Sequence, residues 1–179
     1  MFGKIEKWTR SNNIKINTTK CVHITFTLNE WPIPEIKFNN RELPPAFSVK
    51  YLGLHLDNKL NWKKHIQEKI KQIKSIRKST YCLTSRNSKL SVKNKLLMYK
   101  IIIKPVWTYG LQIWGMAAKS DIKKMENLQS IILRTILAQW YVRNDDMRET
   151  LGIPTIKEEI LKRAKTHQHK IKNPLDLTN

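Results

Sequence analysis

Residues 61–78 read NWKKHIQEKIKQIKSIRK, and their pattern marks the start of a helical region. When successive residues are placed about 100° apart, one stripe collects the apolar side chains, namely Trp62, Ile66, Ile70, Ile73 and Ile76. An adjoining flank collects the lysines Lys63, Lys64, Lys71, Lys74 and Lys78. The segment is therefore predicted to be a helix with an apolar side and a basic side. Arg77 falls on the apolar stripe, so we expect that its side chain reaches back to solvent or that the helix ends before it.

Upstream of this helix the pattern has the period of a β-strand. Residues 20–28 alternate, which predicts a half-buried strand whose apolar face is formed by Val22, Ile24, Phe26 and Leu28. Residues 35–43 are predicted to form a short hairpin with Asn39-Asn40 at its turn, because asparagine tolerates the positive φ of tight turns. Residues 49–56 are predicted to be a further strand, in which Gly53 marks a bulge or the close approach of another backbone.

Downstream of residue 78 the signals are those of successive helices. Ser91 is a predicted N-cap, and Pro105 should kink or stop the helix that follows it. Ser120 is predicted to cap a longer helix. The apolar residues of that helix recur at helical spacing, and they are Ile122, Met125, Leu128, Ile132 and Ile136.

The two acidic pairs of the chain, Asp145-Asp146 and Glu158-Glu159, are interpreted as first-turn residues of helices. Asp145-Asp146 follows Asn144, which is a predicted cap, and acids in a first helical turn are favoured by the helix dipole. Paired aspartates also hold metals in nucleotidyl transferases, but capping is the favoured interpretation. Thr155 and Glu158 form a predicted capping box for a last helix that ends at about residue 172.

Together these patterns predict an α+β fold in two parts. Residues 1–60 should form a small antiparallel piece of hairpin and strands with a helix, and residues 61–179 should form a mainly α-helical bundle.

The chain is strongly basic, and its charge is unevenly distributed. It has 179 residues with 34 Lys and Arg against 14 Asp and Glu, which gives a net charge of +20. Residues 61–104 carry thirteen basic residues and one acid, Glu68. The most common partner of so basic a protein is the phosphate backbone of a nucleic acid. We therefore expect nucleic acid as the partner, with no small-molecule substrate.

Signals for membranes and secretion are missing from the sequence. No apolar run approaches the roughly 18 residues of a membrane span, and residues 1–10 lack the apolar core of a secretion signal. Cys21 and Cys82 show no CxxC spacing, so they are interpreted as reduced thiols. We expect an intracellular chain, in the nucleus or in a nucleoprotein particle, without a membrane partner.

Familiar catalytic motifs are also missing. The sequence contains neither GxSxG nor the phosphate-binding GxxxxGK. His167 and His169 lie two residues apart on a predicted helix, so they point to different faces. We therefore predict no metal site in this chain.

The aromatic residues are predicted to belong mainly to the core. Trp107, Tyr109 and Trp114 could stack on bases, but they lie among apolar residues, which favours packing. The same prediction applies to three further tryptophans, Trp8, Trp31 and Trp140. Trp62 is expected to anchor the first long helix to the segment before it.

Several longer strings resemble the reverse transcriptases of non-LTR retrotransposons. The first are residues 17–20 (NTTK), residues 50–57 (KYLGLHLD) and residues 60–66 (LNWKKHI). Those that resemble the jockey type specifically are residues 95–99 (KLLMY), 104–110 (KPVWTYG), 113–115 (IWG) and 140–144 (WYVRN). The resemblance runs in unbroken order over roughly residues 5–172.

The resemblance implies a position within a larger protein. Residues 1–60 would be the end of the palm with its primer-grip hairpin, and residues 61–179 would be the thumb and the helices beyond it. In this family the catalytic aspartates lie upstream, in a Tyr-Ala-Asp-Asp or similar turn, and no such tetrapeptide occurs here. Two-metal polymerisation needs those carboxylates. The isolated chain is expected to be inactive and to need no cofactor, with Mg²⁺ expected only for the intact polymerase.

The same resemblance assigns roles to particular residues. Lys20 matches a lysine of this family that resembles, in an intact enzyme, a proton donor near the leaving pyrophosphate. The alternative, which has equal weight, is that Lys20 only opens a strand. Tyr51, Leu52 and Gly53 match the primer grip, where Gly53 would permit close approach to the sugar-phosphate chain. The thumb flank that follows the duplex would be formed by Lys63, Lys64, Lys71, Lys74 and Lys78, with a solvated lysine face as the alternative.

Three functional hypotheses remain open. The leading one is a fragment of a reverse transcriptase that binds the template-primer duplex without polymerase activity. The alternative is a stand-alone or domesticated basic nucleic-acid-binding module without an enzymatic role. The third is a structural piece that acts only when it docks on a palm supplied by another chain. The missing palm and fingers of the parent protein are a further expected partner.

Overall fold

The computed structural model describes residues 2–28, 34–38, 41–137 and 141–172. Contacts within the chain divide it into two compact units, Met1–Asn61 and Trp62–Asn179. The first unit contains a helix and two small antiparallel sheets, and the second is helical. The predicted α+β fold class is therefore confirmed.

The first unit begins with a helix and continues as short strands. Helix α1 spans Phe2–Ser11, and a single 3₁₀ turn covers Thr18–Lys20, with the Asn17 side chain accepting a hydrogen bond from the Thr19 amide. The strands form two antiparallel pairs, β1 (Lys37–Phe38) with β2 (Arg41–Glu42), and β3 (Ser48–Tyr51) with β4 (Leu54–Asp57).

The hairpin predicted at residues 35–43 is confirmed, whereas the single strand predicted at residues 49–56 is wrong. Phe38 lies opposite Arg41 in the first hairpin, and Asn39-Asn40 lies outside the described residues. The second segment folds back on itself, because Leu52 and Gly53 both have positive φ, at 45° and 77°. Two consecutive residues with positive φ make the tight turn that matches the twist of a two-stranded ribbon. Gly53 thus lies in a hairpin turn and not within a strand.

The strand predicted at residues 20–28 is also wrong. Among the described residues, this segment forms a single isolated β-bridge, between His23 and Pro45. The buried residue is His23, which lies on the face predicted to be polar, while Val22, Phe26 and Leu28 are exposed. The His23 ring donates from Nδ1 to the Leu43 carbonyl oxygen at 3.0 Å, which satisfies one of its two ring nitrogens.

The second unit consists of helices joined by short connections. The longer ones are α2 (Lys63–Ser79), α7 (Lys119–Leu137), α8 (Asn144–Leu151) and α9 (Ile156–Lys172). Between α2 and α7 lie α3 (Tyr81–Thr84), α4 (Val92–Met98), α5 (Lys104–Thr108) and α6 (Leu111–Trp114). In the described part of the chain, no helix has the length and apolar character to cross a membrane.

The amphipathic helices predicted from the sequence are confirmed. In α2, Ile66 and Ile73 are fully buried, and the helix packs on α7 and α5. Arg77 lies inside α2, half-buried, and its Nη2 donates to Thr135 Oγ1 of α7 at 3.5 Å, so the helix does not end before it. The apolar series of α7 is buried throughout, at Ile122, Met125, Leu128, Ile132 and Ile136.

Two of the four predicted helix caps are confirmed. The Ser91 hydroxyl accepts from the Asn94 amide, and Thr155 and Glu158 form a reciprocal capping box at the start of α9. The other two are wrong by one or two residues. Ser120 lies within α7, whose first amide bonds go to the Ala118 carbonyl. Asn144 is the first residue of α8, and its side-chain oxygen accepts from Arg134 instead.

Pro105 does not stop the helical run, which continues through a wider turn to Thr108. Residues Tyr99–Ile103 form a π turn between α4 and α5, in which the Lys104 amide donates to the carbonyl of Tyr99, five residues back. Proline has no amide hydrogen and its ring clashes with the carbonyl four residues earlier, so a regular helix is disfavoured at this point. The π turn places Tyr99 in the core, where its hydroxyl accepts from Gln129 Nε2 at 3.0 Å. Burial raises the pKa of Tyr99.

The predictions for the aromatic residues are partly correct. Trp107, Trp114 and Trp62 are buried in the second unit, as a core position requires. Trp8 is 58% exposed, so its assignment to a core is wrong, and Tyr109 is also exposed, with Lys69 Nζ 5.4 Å from its ring centre. Trp31 and Trp140 lie outside the described residues.

Helices α5 and α9 are joined by an ion-pair cluster around Glu159. Its carboxylate accepts from Lys104 Nζ at 3.1 Å and from Arg163 Nε at 3.2 Å, and Glu159 itself is buried. Burial on its own would raise the pKa of Glu159, but the hydrogen bonds from Lys104 and Arg163 outweigh it, so the pKa lies below its ordinary value of 4.5. The folded state therefore favours the charged carboxylate.

We predict that Glu159→Gln lowers the free energy of unfolding by about 1.5–3 kcal/mol at neutral pH, the range for hydrogen bonds to charged groups. Because the folded-state pKa is lowered, the stabilisation is fully present above the ordinary value of 4.5 and is lost as the pH falls through the folded-state pKa. Urea unfolding of both proteins across this range measures the difference. It should be largest near pH 7 and vanish in acid.

Glu126→Gln is the matched control for this pair. Glu126 faces Lys157 at 4.0 Å, and that lysine is largely exposed. An exposed pair contributes at most about 1 kcal/mol. If both variants lost the same stability with the same pH dependence, the Glu159 cluster would have no special role.

Candidate nucleic-acid interface

The five lysines predicted to share a flank of α2 do lie on one exposed face. Lys63, Lys64, Lys71, Lys74 and Lys78 are all exposed, and together they are called the lysine face. The opposite side of the helix carries buried Ile66 and Ile73 together with His65, which is fully buried between the rings of Trp62 and Trp114. The lysines point outward because the helix has only one side that can be buried.

The lysine face is long, and few acids lie near it in the sequence. From Lys63 to Lys78 the helix rises about 22 Å at 1.5 Å per residue, which is roughly two thirds of the ~34 Å turn of B-form DNA. Among the described residues, Lys64, Lys71, Lys74 and Lys78 form no ion pair. The one acid of α2, Glu68, is half-buried. Such an arrangement leaves several ammonium groups for phosphates.

Not every basic residue of segment 61–104 is available for a ligand. Lys95 is buried, and its Nζ donates to the Ser85 carbonyl at 2.7 Å, just beyond the end of α3. Lys104 is paired with Glu159, and Arg77 is directed towards Thr135. The segment contains thirteen basic residues, and these three bind partners within the protein.

Sequence reasoning missed these internal partners for a physical reason. Lys104 and Glu159 lie fifty-five residues apart, and the sequence pattern around Glu159 predicts only a first-turn acid. A signal was present, because the capping box requires Glu158 alone and leaves the adjacent carboxylate without a role in the cap. For Lys95 the sequence offers no such signal, since a lysine four residues after Ser91 resembles any solvated helix residue.

Tyr51, Leu52 and Gly53, the residues matched to a primer grip, lie together at the tip of the β3–β4 hairpin in the first unit. Tyr51 and Leu52 are exposed, and Leu52 adopts the left-handed conformation at φ 45°. This conformation costs a non-glycine residue roughly 1–2 kcal/mol, and strained positions of this kind are concentrated at ligand contacts and switches. The tip therefore presents an apolar, strained turn to solvent.

Lys20 lies at the last residue of the 3₁₀ turn that follows Asn17, and its side chain is exposed. The predicted strand does not form around it, so the interpretation as a residue that opens a strand is wrong. The role of Lys20 as a proton donor stays a prediction.

The acidic and histidine residues of the chain do not form a metal centre in the part that is described. Within residues 2–28, 34–38, 41–137 and 141–172, no three His, Cys, Asp or Glu side chains converge. Asp145 and Asp146 are exposed in the first turn of α8, where the helix dipole favours them.

The chain is similar over most of its length to curated proteins from flies. It is 34% identical over 169 residues to the probable RNA-directed DNA polymerase from transposon X-element of Drosophila melanogaster, which is 94% of this chain and 19% of the relative. It is 34% identical over 168 residues to the RNA-directed DNA polymerase from mobile element jockey of Drosophila funebris, covering 93% of this chain and 18% of the relative.

A further relative, the probable RNA-directed DNA polymerase from transposon BS of Drosophila melanogaster, is 27% identical over 92% of this chain and 18% of its own length. No protein-family model matches the chain, and no solved structure matches it significantly. The chain spans about a fifth of the length of the curated relatives it matches. Along nearly all of its own length, this chain is thus a homologue of the RNA-directed DNA polymerases of jockey and related non-LTR transposons.

Proposed function

We propose that this chain is the part of a jockey-type reverse transcriptase that grips the template-primer duplex, with residues 1–60 as the end of the palm and residues 61–179 as the thumb and the helices beyond. The observation that carries the proposal is the lysine face of α2. It combines an exposed row of cations about 22 Å long with homology to enzymes whose names specify nucleic acid chemistry.

The lysine face suits a duplex because its charges are regularly spaced on a rigid helix. Duplex DNA carries a charge for roughly every 1.7 Å of its axis, so several lysines can each meet a phosphate without a base-specific fit. Contacts of this kind position a protein on a duplex and carry no sequence information. This is what a polymerase requires, since it must hold every sequence it copies.

The hairpin tip supplies the second element of the proposal. Tyr51 and Leu52 would rest against the primer strand, and Gly53 would leave room for the sugar-phosphate chain, as the primer-grip resemblance implies. The strained φ of Leu52 supports a role in binding the primer strand. If the turn bound nothing, asparagine or glycine at this position would make it more stable.

We infer further that the chemical step depends on residues outside this chain. Nucleotidyl transfer needs carboxylates that hold two metal ions about 3.5–4 Å apart, and among the described residues no three His, Cys, Asp or Glu side chains converge, which supports this inference. We therefore assign no metal-dependent step to any residue here. Lys20 would contribute only where a palm supplies the catalytic aspartates.

We predict that affinity for an RNA–DNA duplex falls steeply with salt concentration. If five lysines each neutralise one phosphate, the plot of log K against log salt should have a slope of about −4 to −5. The charge reversal Lys71→Glu with Lys74→Glu should weaken binding at least about tenfold and reduce the slope by about 2, because one phosphate contact is lost at each position. Fluorescence anisotropy of a labelled duplex over a range of salt concentrations measures both quantities.

The matched control is Lys4→Glu with Lys7→Glu. These lysines are exposed, lie on α1 with the same spacing of three residues, and give the same change in net charge. The control should alter affinity by less than about threefold. Equal losses in both variants would show that net charge alone drives binding. A loss confined to particular sequences would instead favour a stand-alone module with a task of its own.

We also predict that the chain alone does not extend a primer. A primed RNA template, the four deoxynucleotides and Mg²⁺ should yield no product on a denaturing gel, while anisotropy in the same buffer reports duplex binding. A reverse transcriptase added to a parallel reaction establishes that the template is competent. Primer extension by this chain would refute the inference that the carboxylates lie elsewhere.

A further inference from the structure

The first unit contains a basic cleft that the proposed function does not use. It has a volume of about 540 Å³, and its cationic lining residues are Arg10, Lys15 and Arg41. The volume is within the roughly 300–1,000 Å³ range of sites that hold small molecules. Its lining includes no acidic residue, and the remaining polar side chains are those of threonine and asparagine.

The end of α1 builds one wall of this cleft. The Ile14 amide donates to the Thr9 carbonyl at 2.9 Å, and the Asn13 amide donates to the Arg10 carbonyl at 3.3 Å. Asn13 has φ 53°, which completes a helix-ending motif of the Schellman type, with asparagine at the position that glycine usually occupies. The chain therefore reverses sharply, which places Lys15 on the same cleft as Arg10.

Arg41 reaches the cleft from a different element, strand β2. The three cations are thus supplied by a helix, a loop and a strand, with the third one twenty-six residues beyond the second. Among the described residues, their side chains form no ion pair and no hydrogen bond. Three like charges around one opening repel each other, which costs stability unless an anion joins them.

The simplest alternative is that the cations only stabilise the end of α1. Arg10, in the last turn, does suit the negative end of the helix dipole. The two carbonyls at Thr9 and Arg10 are already satisfied by backbone amides, however, and Arg41 does not belong to the helix at all. Helix capping therefore accounts for one of the three charges and leaves the other two unexplained.

We propose that this cleft binds phosphate groups carried by a nucleotide or by a nucleic acid strand. Guanidinium groups bind phosphate oxygens in a bidentate manner, and an ammonium group adds a point charge. The inference goes beyond the proposed function, because the cleft belongs to the first unit and makes no use of the lysine face. Its failure would leave duplex binding by α2 untouched.

The test uses the full chain carrying Lys71→Glu and Lys74→Glu, so that the lysine face contributes little. The probes are inorganic triphosphate, a nucleoside triphosphate and a single-stranded oligonucleotide of eight residues. Binding is measured by calorimetry, and its location by shifts of the amide resonances of residues 9–18 and 41–42. We expect saturable binding with shifts confined to these residues.

Arg41→Gln and Lys15→Gln should each weaken binding about tenfold, since hydrogen bonds to a charged group contribute this much. Lys37→Gln, on the strand paired with β2 and outside the cleft lining, is the matched control and should leave affinity unchanged. Binding of all three probes would identify phosphate itself as the ligand, and binding of the oligonucleotide alone would identify a strand. The proposal is overturned if no probe shifts residues 9–18, or if Arg41→Gln and Lys15→Gln bind as tightly as Lys37→Gln.

Discussion

The apolar stripe of α2 is buried on α7 and α5, and the orientation of its lysines follows from that burial. Ile66 and Ile73 are almost completely inaccessible, and burying such side chains contributes about 1.5–3 kcal/mol each. A rotation of the helix that hid the lysines would remove this gain and would place ammonium groups in a low dielectric, at several kcal/mol for each charge. The basic surface is therefore a consequence of the core and needs no interaction of its own to hold it in place.

Helical periodicity was the part of the sequence that could be interpreted reliably, because a helix satisfies its backbone locally and reveals its buried side every three or four residues. The stripes of α2 and α7 and the capping box at Thr155 were all predictable for this reason. The β-segments could not be predicted in the same way. Alternation at residues 20–28 suggests a strand, but a strand needs a partner, and here the segment makes a single bridge, at His23. The residue pattern gives no signal for the turn at residues 52–53, because leucine seldom adopts positive φ, and only the primer-grip resemblance implied a turn there.

The sequence predicted which charged residues share a face of the candidate site, but it did not predict which of the basic residues are held by partners within the protein. The sequence placed five lysines on one flank, and they are exposed there. It could not show that Lys95 and Lys104 are used internally, because a lysine's role depends on carbonyls and carboxylates that are distant in the chain. The same limit applies to Arg10, Lys15 and Arg41, which only the reversal at Asn13 and the course of β2 bring to one cleft.

The π turn at Tyr99–Ile103 absorbs one residue without changing which side of the helix faces the core. A π turn accommodates one residue more than an α-helical turn. Tyr99 and Trp107 are both buried, and they lie eight residues apart across this turn. If one residue between them were removed, the spacing would be seven, which in a regular α-helix again places both residues on the same side. Related chains should therefore tolerate the loss of one residue in this turn, provided that Tyr99 and Trp107 are kept.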